Sequence, residues 1–135
     1  MEMEILFPGG KKVNALYRGF TIQTDQPVEQ GGEGTAPTAF ELFLASIGIC
    51  AGYYVLAFCQ ERQISHEGIK VVMRAERDEK TKMVDRISIR IELPPDFPEK
   101  YIKAVVNAAE QCAVKKHLVF PPDIEISTAI GGKRG

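Results

Sequence analysis

Leu42-Phe-Leu-Ala-Ser-Ile-Gly-Ile-Cys50-Ala-Gly-Tyr-Tyr-Val-Leu-Ala-Phe-Cys59 runs for 18 residues without a single charge. Only Ser46, Gly48 and Gly52 fall outside the apolar set. Thr38 stands where a helix cap is needed, and Glu41 follows three residues later, the spacing of a capping box. The charges of Gln60-Glu61-Arg62 mark the other end. A helix that is apolar all round must be covered on every side. A membrane span is one reading, at the lower limit of length. Two glycines, a serine and several alanines weaken that reading, and the flanking strands belong to a soluble domain. A chain of 135 residues can lay a sheet against one side of such a helix and has little left for the other. A second copy of the chain is the expected cover, so the sequence predicts an obligate homodimer with this helix near the interface. Gly48 and Gly52 form a small-xxx-small pair that favours close helix–helix approach over packing within the chain.

Outward from the helix, the pattern changes to strands. Residues 2–7, 12–17 and 19–24 read as three strands, with a turn at Pro8-Gly9-Gly10 and a bulge or bend at Gly19. Residues 25–37 hold three glycines and two prolines and read as a mobile loop. Beyond Gly68 the period becomes two: Ile69, Val71, Met73 and Ala75 share a strand face, and residues 86–93 alternate without a fault. Pro94-Pro95 stops that strand. Asp96 is placed to cap a second helix whose apolar stripe is Tyr101, Ala104, Val105, Ala108 and Cys112. Ile124, Ile126, Thr128 and Ile130 close the chain as a strand. The predicted order is βββ-α-ββ-α-β, an α+β fold in a single domain over residues 1–135.

Composition narrows the function. Hydrophobic residues make up 44% and charged residues 26%, too much apolar material for a disordered chain. A formal net charge of -1 argues against nucleic acid, whose binding rests on neutralising phosphates. From the third strand (residues 19–24) onward the order is also that of a ferredoxin-like module, but residues 86–93 carry none of the aromatics an RNA-binding version needs. No phosphate-binding glycine motif, Cys-x-x-Cys or zinc spacing is present, so neither metal nor cofactor is expected. Three widely spaced cysteines do not make a secreted disulfide framework. Acidic residues occupy the start, where a signal peptide carries basic ones, so a cytoplasmic location is expected.

The chemistry therefore turns on cysteine. Cys59 reads as an inert buried thiol. It lies about 900° around the helix from Cys50, on the opposite face, so those two cannot act together within one helix. Cys50 has Ser46, Ile47, Tyr53 and Tyr54 as helical neighbours, an apolar and aromatic surface suited to an organic substrate. An ordinary thiol is only a few per cent thiolate at neutral pH, so activation calls for a nearby cation. Arg18, Lys11 and Lys12 in the N-terminal strands are the candidates. Cys112, near the end of the second helix, is either packing or a second thiol facing Cys50.

Two stretches resemble the signatures of the OsmC/Ohr family: Gly34-Thr-Ala-Pro37-Thr-Ala-Phe-Glu-Leu-Phe-Leu-Ala-Ser-Ile-Gly-Ile-Cys50 and Ala108-Ala-Glu-Gln-Cys112-Ala-Val. The resemblance covers nearly the whole chain. It implies an intertwined homodimer with the central helices packed between sheets. It also implies thiol-dependent reduction of organic hydroperoxides, with Cys50 as the peroxidatic thiolate and Cys112 as its disulfide partner. An external dithiol, a lipoylated protein or a thioredoxin-like donor, would recycle the pair. The family's catalytic glutamate falls at Phe40, one residue before Glu41, and its arginine corresponds loosely to Arg18. These departures place the chain with the divergent OsmC-like branch. A redox-responsive or apolar-ligand-binding dimer on the same fold, without efficient turnover, is the alternative.

Overall fold

In the computed structural model, residues 1–131 and the backbone of Lys133 and Arg134 are described. Three strands come first: β1 (Glu4–Gly9), β2 (Lys12–Tyr17) and β3 (Phe20–Thr24), an antiparallel sheet in that order. The register of β1 on β2 slips between Leu6 and Gly9, across Pro8. Proline has no N–H for the ladder, so a bulge on an edge strand accommodates it. The turn that the sequence places at Pro8-Gly9-Gly10 thus falls one residue later, at Gly10-Lys11. β2 and β3 are joined by a two-residue loop in which Arg18 (φ 50°) and Gly19 (φ 80°) are both left-handed, with Tyr17 paired to Phe20. Two positive φ values are the signature of a type I′ hairpin, so Gly19 serves a turn and not a bulge.

α1 (Ala39–Glu61) follows, and the capping box forms in full. The Thr38 N–H donates to the Glu41 carboxylate at 3.0 Å, and the Glu41 N–H donates to Thr38 Oγ1 at 3.2 Å. Within the chain α1 buries one stripe, Ile47, Ala51, Val55, Phe58 and Cys59, at steps of three, four and one. Ile49 is 71% exposed and Tyr53 61% exposed, while Leu42, Leu44, Tyr54 and Leu56 are half-buried, so part of the apolar surface of α1 is left exposed. By length and composition alone α1 would pass for a membrane span.

β4 (Lys70–Arg77) and β5 (Val84–Glu92) form an antiparallel hairpin. Val71, Met73 and Ala75 pair with Ile91, Ile89 and Ile87 to give one apolar face, as the alternation predicts. The polar face sets Arg74 opposite Ser88 and Glu76 opposite Arg86.

The second predicted helix is two helices. Pro98 precedes a short 3-10 turn (Glu99–Tyr101), which leads into α2 (Ile102–Ala109). Asp96 makes no cap there; the cap position belongs to Pro98, without a side-chain hydrogen bond. Cys112 then leaves helical geometry (ψ 118°) and opens α3 (Ala113–Val119). The C-terminal strand is also shorter than the alternation predicts. Only Ala129–Ile130 (β6) pairs, with Lys133–Arg134 (β7). Residues 121–127 are not assigned to a strand, and Ile124 and Ile126 stay 84% and 90% exposed. Alternating residues become a strand only where another strand supplies the ladder.

By its contacts the chain gathers into two units, and α1 contributes to both. The first comprises Met1–Ile49 and Gly68–Leu93: the three-stranded sheet, the start of α1 and the β4–β5 hairpin. Here Gly48 lets α1 approach Met73, whose Sδ lies 3.6 Å from where a Cβ would stand. The second comprises residues 50–67 and 94–135. Its core is Ala51, Val55, Phe58, Cys59, Phe97, Val105 and Cys112.

Candidate active site

The second unit brings Cys50 and Cys112 together. Cys50 projects from the middle of α1 and is partly exposed, while Cys112 is buried at 2% exposure. The break between α2 and α3 is what makes the meeting chemical. A helix carried straight through Cys112 would commit the next amides to its own ladder. Instead the chain restarts at Ala113, and the first N–H groups of α3 have no intrahelical acceptor. The N–H groups of Ala113 and Val114 donate to the Cys50 sulfur, and so does the Cys112 thiol. Cys112 Sγ in turn accepts the Lys115 N–H at 3.4 Å, acting as the side-chain cap of α3.

This network splits the two thiols apart in acidity. Burial disfavours the Cys50 thiolate, but hydrogen bonds from the Val114 N–H, the Cys112 thiol and the Ala113 N–H outweigh it. The Cys50 pKa falls below the ordinary thiol value of 9.0. Cys112 moves the other way. Its burial raises its pKa, and so do its hydrogen bond to Cys50 and the charge of the Cys50 thiolate. Of the two sulfurs in contact, Cys50 is thus shifted toward the thiolate and Cys112 away from it. Cys59 is fully buried and raised by burial, as an inert core thiol should be.

The other sequence candidates lie in the first unit. Arg18 sits in the β2–β3 turn with its guanidinium 5.8 Å from the centre of the Tyr17 ring. Lys12 is engaged by Glu33 at 2.5 Å. Glu41 is occupied by the Thr38 cap, which holds its carboxyl below the usual range. Phe40, at the position of the family glutamate, packs 5.7 Å from Phe43, with the Arg77 guanidinium 5.3 Å from its ring centre. The groups that lower the Cys50 pKa within its own unit are the Val114 amide, the Cys112 thiol and the Ala113 amide. No pattern of side chains announces amides, so the sequence search for a cation passed over them. Among the described residues no three His, Cys, Asp or Glu side chains gather as a metal site.

The sequence reading also missed Asp25. Its side chain is 1% exposed and organises the loop before α1. It accepts from the N–H groups of Gln26 (2.7 Å), Glu33 (3.3 Å) and Thr35 (3.1 Å), and from the Thr35 hydroxyl (2.7 Å). The Thr35 hydroxyl and amide lead in lowering its pKa to about 2. Residues 25–37 are thus tied to one carboxylate, where glycine and proline content alone reads as mobility.

With this geometry in view, comparison with known proteins is informative. The model of the family described as OsmC-like protein matches residues 32–127, which hold both cysteines and both quoted motifs. The chain belongs to the OsmC-like family.

Solved OsmC-like folds support the architecture. One is a protein ascribed to osmotic stress and detoxification response in Psychrobacter arcticus. It is 22% identical, with a TM-score of 0.71 over 84% of this chain and 85% of that one. An organic hydroperoxide resistance protein OsmC from Legionella pneumophila is 18% identical, with a TM-score of 0.55 over 87% and 89%. A hypothetical protein from Aquifex aeolicus is 21% identical, with a TM-score of 0.66 over 93% and 91%. No curated protein matches the sequence. The mixed α+β fold read from the sequence is that of OsmC-like proteins, with the second helix divided at Cys112.

Proposed function

We propose that this OsmC-like protein is a thiol peroxidase for organic hydroperoxides, with Cys50 as nucleophile and Cys112 as resolving thiol. The observation that carries the proposal is the meeting of two thiols: partly exposed Cys50 on α1 and buried Cys112 at the start of α3 lie in contact, in surroundings that lower the Cys50 pKa and raise that of Cys112. The Cys50 thiolate attacks the terminal oxygen of ROOH, the O–O bond breaks, and alkoxide leaves to take a proton as ROH. Cys50 is then a sulfenic acid. The Cys112 sulfur attacks it, hydroxide leaves with the Cys112 proton as water, and an S–S bond remains. An external dithiol reduces that bond by exchange. The steps above are written without Arg18 and Glu41, which remain candidates on the family resemblance; Arg18 lies near the Tyr17 ring and Glu41 holds the cap.

The same proposal takes the working form to be a cytoplasmic homodimer. Its support is the uncovered apolar surface: Ile49 and Tyr53 on α1, and the unpaired Ile124 and Ile126. The function is tested by following consumption of cumene hydroperoxide and of hydrogen peroxide with dithiothreitol as reductant. Sustained turnover that prefers cumene hydroperoxide and is abolished in Cys50→Ser is expected. Wild-type consumption no faster than that of Cys50→Ser would overturn the assignment.

A further inference from the structure

α3 is a seven-residue helix with no buried residue. A helix that short does not persist on propensity, and it needs outside contacts. Ion pairing of Lys115 with Glu110, and the Lys116 Nζ bond to Gln111 at 3.3 Å, are exposed and weak. The contacts at its base are made to sulfur. Cys112 Sγ takes the Lys115 N–H, and the Cys50 sulfur takes the Ala113 and Val114 N–H groups. Charge on the acceptor strengthens such bonds, and a neutral sulfur accepts only weakly.

We infer that α3 is a redox-released element: linking Cys50 to Cys112 frays its first turn, so the oxidised chain differs from the reduced one over residues 113–120. The reasoning rests on the proposed pairing of the two thiols but not on peroxidase turnover. In the reduced protein Cys112 Sγ holds the Lys115 N–H at 3.4 Å, and the Cys50 sulfur lies against the Ala113 and Val114 amides. On oxidation the pair gives up two electrons to diamide, which also takes the remaining thiol protons, any shortfall being drawn from water, and one S–S bond forms. Neither sulfur then can carry charge, and closing the contact to an S–S bond of about 2 Å draws Cys112 Sγ off the Lys115 N–H. The amides of Ala113, Val114 and Lys115 lose their acceptors together. Lys115 and Lys116 stand exposed on this segment, so fraying opens sites for trypsin as well.

The test is amide hydrogen exchange on the full-length protein, reduced and after oxidation by diamide, with the disulfide confirmed by intact mass. Exchange at Ala113–Lys116 is expected to rise at least about fivefold, the factor that a lost side-chain cap converts to. α2 is expected to keep its protection. Cys112→Ser retains an oxygen acceptor for the Lys115 N–H and cannot form the link, so diamide is expected to leave its α3 unchanged. A linked protein with unchanged exchange at Ala113–Lys116 would overturn the inference, as would failure of diamide to link the pair. If diamide links the pair and cumene hydroperoxide does not, the peroxidase reading alone is lost, and the exchange result still decides the switch.

Discussion

Ala113→Pro removes one hydrogen-bond donor from the Cys50 sulfur while leaving the helix it begins. Ala113 is the first residue of α3, where proline is tolerated because that N–H has no partner in the helix. The preceding residue, Cys112, already has φ -48° and ψ 118°, close to the extended conformation that proline imposes on its predecessor. The variant should therefore fold. It loses the weaker of the two amide contributions to the thiolate, since the Val114 N–H outranks that of Ala113. A typical net hydrogen bond is worth about 0.5–1.5 kcal/mol, or about two- to twelvefold in thiolate population. Alkylation of Cys50 by iodoacetamide at neutral pH, read by peptide mass spectrometry, should slow by that factor, and its pH midpoint should rise. Ala113→Gly keeps the N–H and should alkylate at close to the wild-type rate. An Ala113→Pro variant with the wild-type rate and midpoint would refute the assignment of Cys50 activation to these amides.

Three further predictions follow from other parts of the fold. The folded pKa of Asp25, about 2, lies below the ordinary 3.8, so its contribution to stability is complete above pH 4 and disappears as pH falls to about 2. Thermal melts of wild type and Asp25→Asn should differ at pH 5 and converge near pH 2; a difference that ignores pH would contradict the cage. Glu41→Gln preserves the reciprocal cap and should leave peroxide turnover within about twofold of wild type, whereas Glu41→Ala should melt earlier. Loss of turnover in a well-folded Glu41→Gln would place Glu41 in the chemistry. Among the described residues, and apart from the surrounding backbone of α1 and the two neighbouring residues, no atom lies within 4 Å of where a Cβ on Gly52 would stand. Gly52→Leu should thus fold but weaken the proposed dimer, visible by light scattering as monomer at concentrations where wild type is dimeric.

The long helix, its cap and the β4–β5 hairpin were legible because each depends on local pattern. Thr38 and Glu41 meet across one turn, and Met73 faces the same way as Val71 whatever surrounds them. The break at Cys112 was not legible. Ala108-Ala-Glu-Gln-Cys-Ala-Val continues a helical stripe, and Cys112 is buried as the stripe requires, yet ψ at Cys112 turns the chain out of the helix. The C-terminal strand failed for the opposite reason: its alternation is real, but pairing needs a partner strand that sequence period does not supply. The two glycines of α1 divide likewise. Gly48 accommodates Met73 of the same chain, and Gly52 meets no other element within 4 Å among the described residues, so the small-xxx-small spacing answers to two environments. Of the site, sequence supplied the two sulfurs; the amides that tune them belong to the backbone and appear only with the fold.

The central claim is that Cys50 and Cys112 form a peroxide-oxidised pair. Its most direct test treats fully reduced protein with about one equivalent of cumene hydroperoxide and maps disulfides by non-reducing peptide mass spectrometry. The account predicts a Cys50–Cys112 link that forms faster than with hydrogen peroxide, while Cys59 remains a thiol. A Cys50 that stays reduced, or modification confined to Cys59, would contradict it.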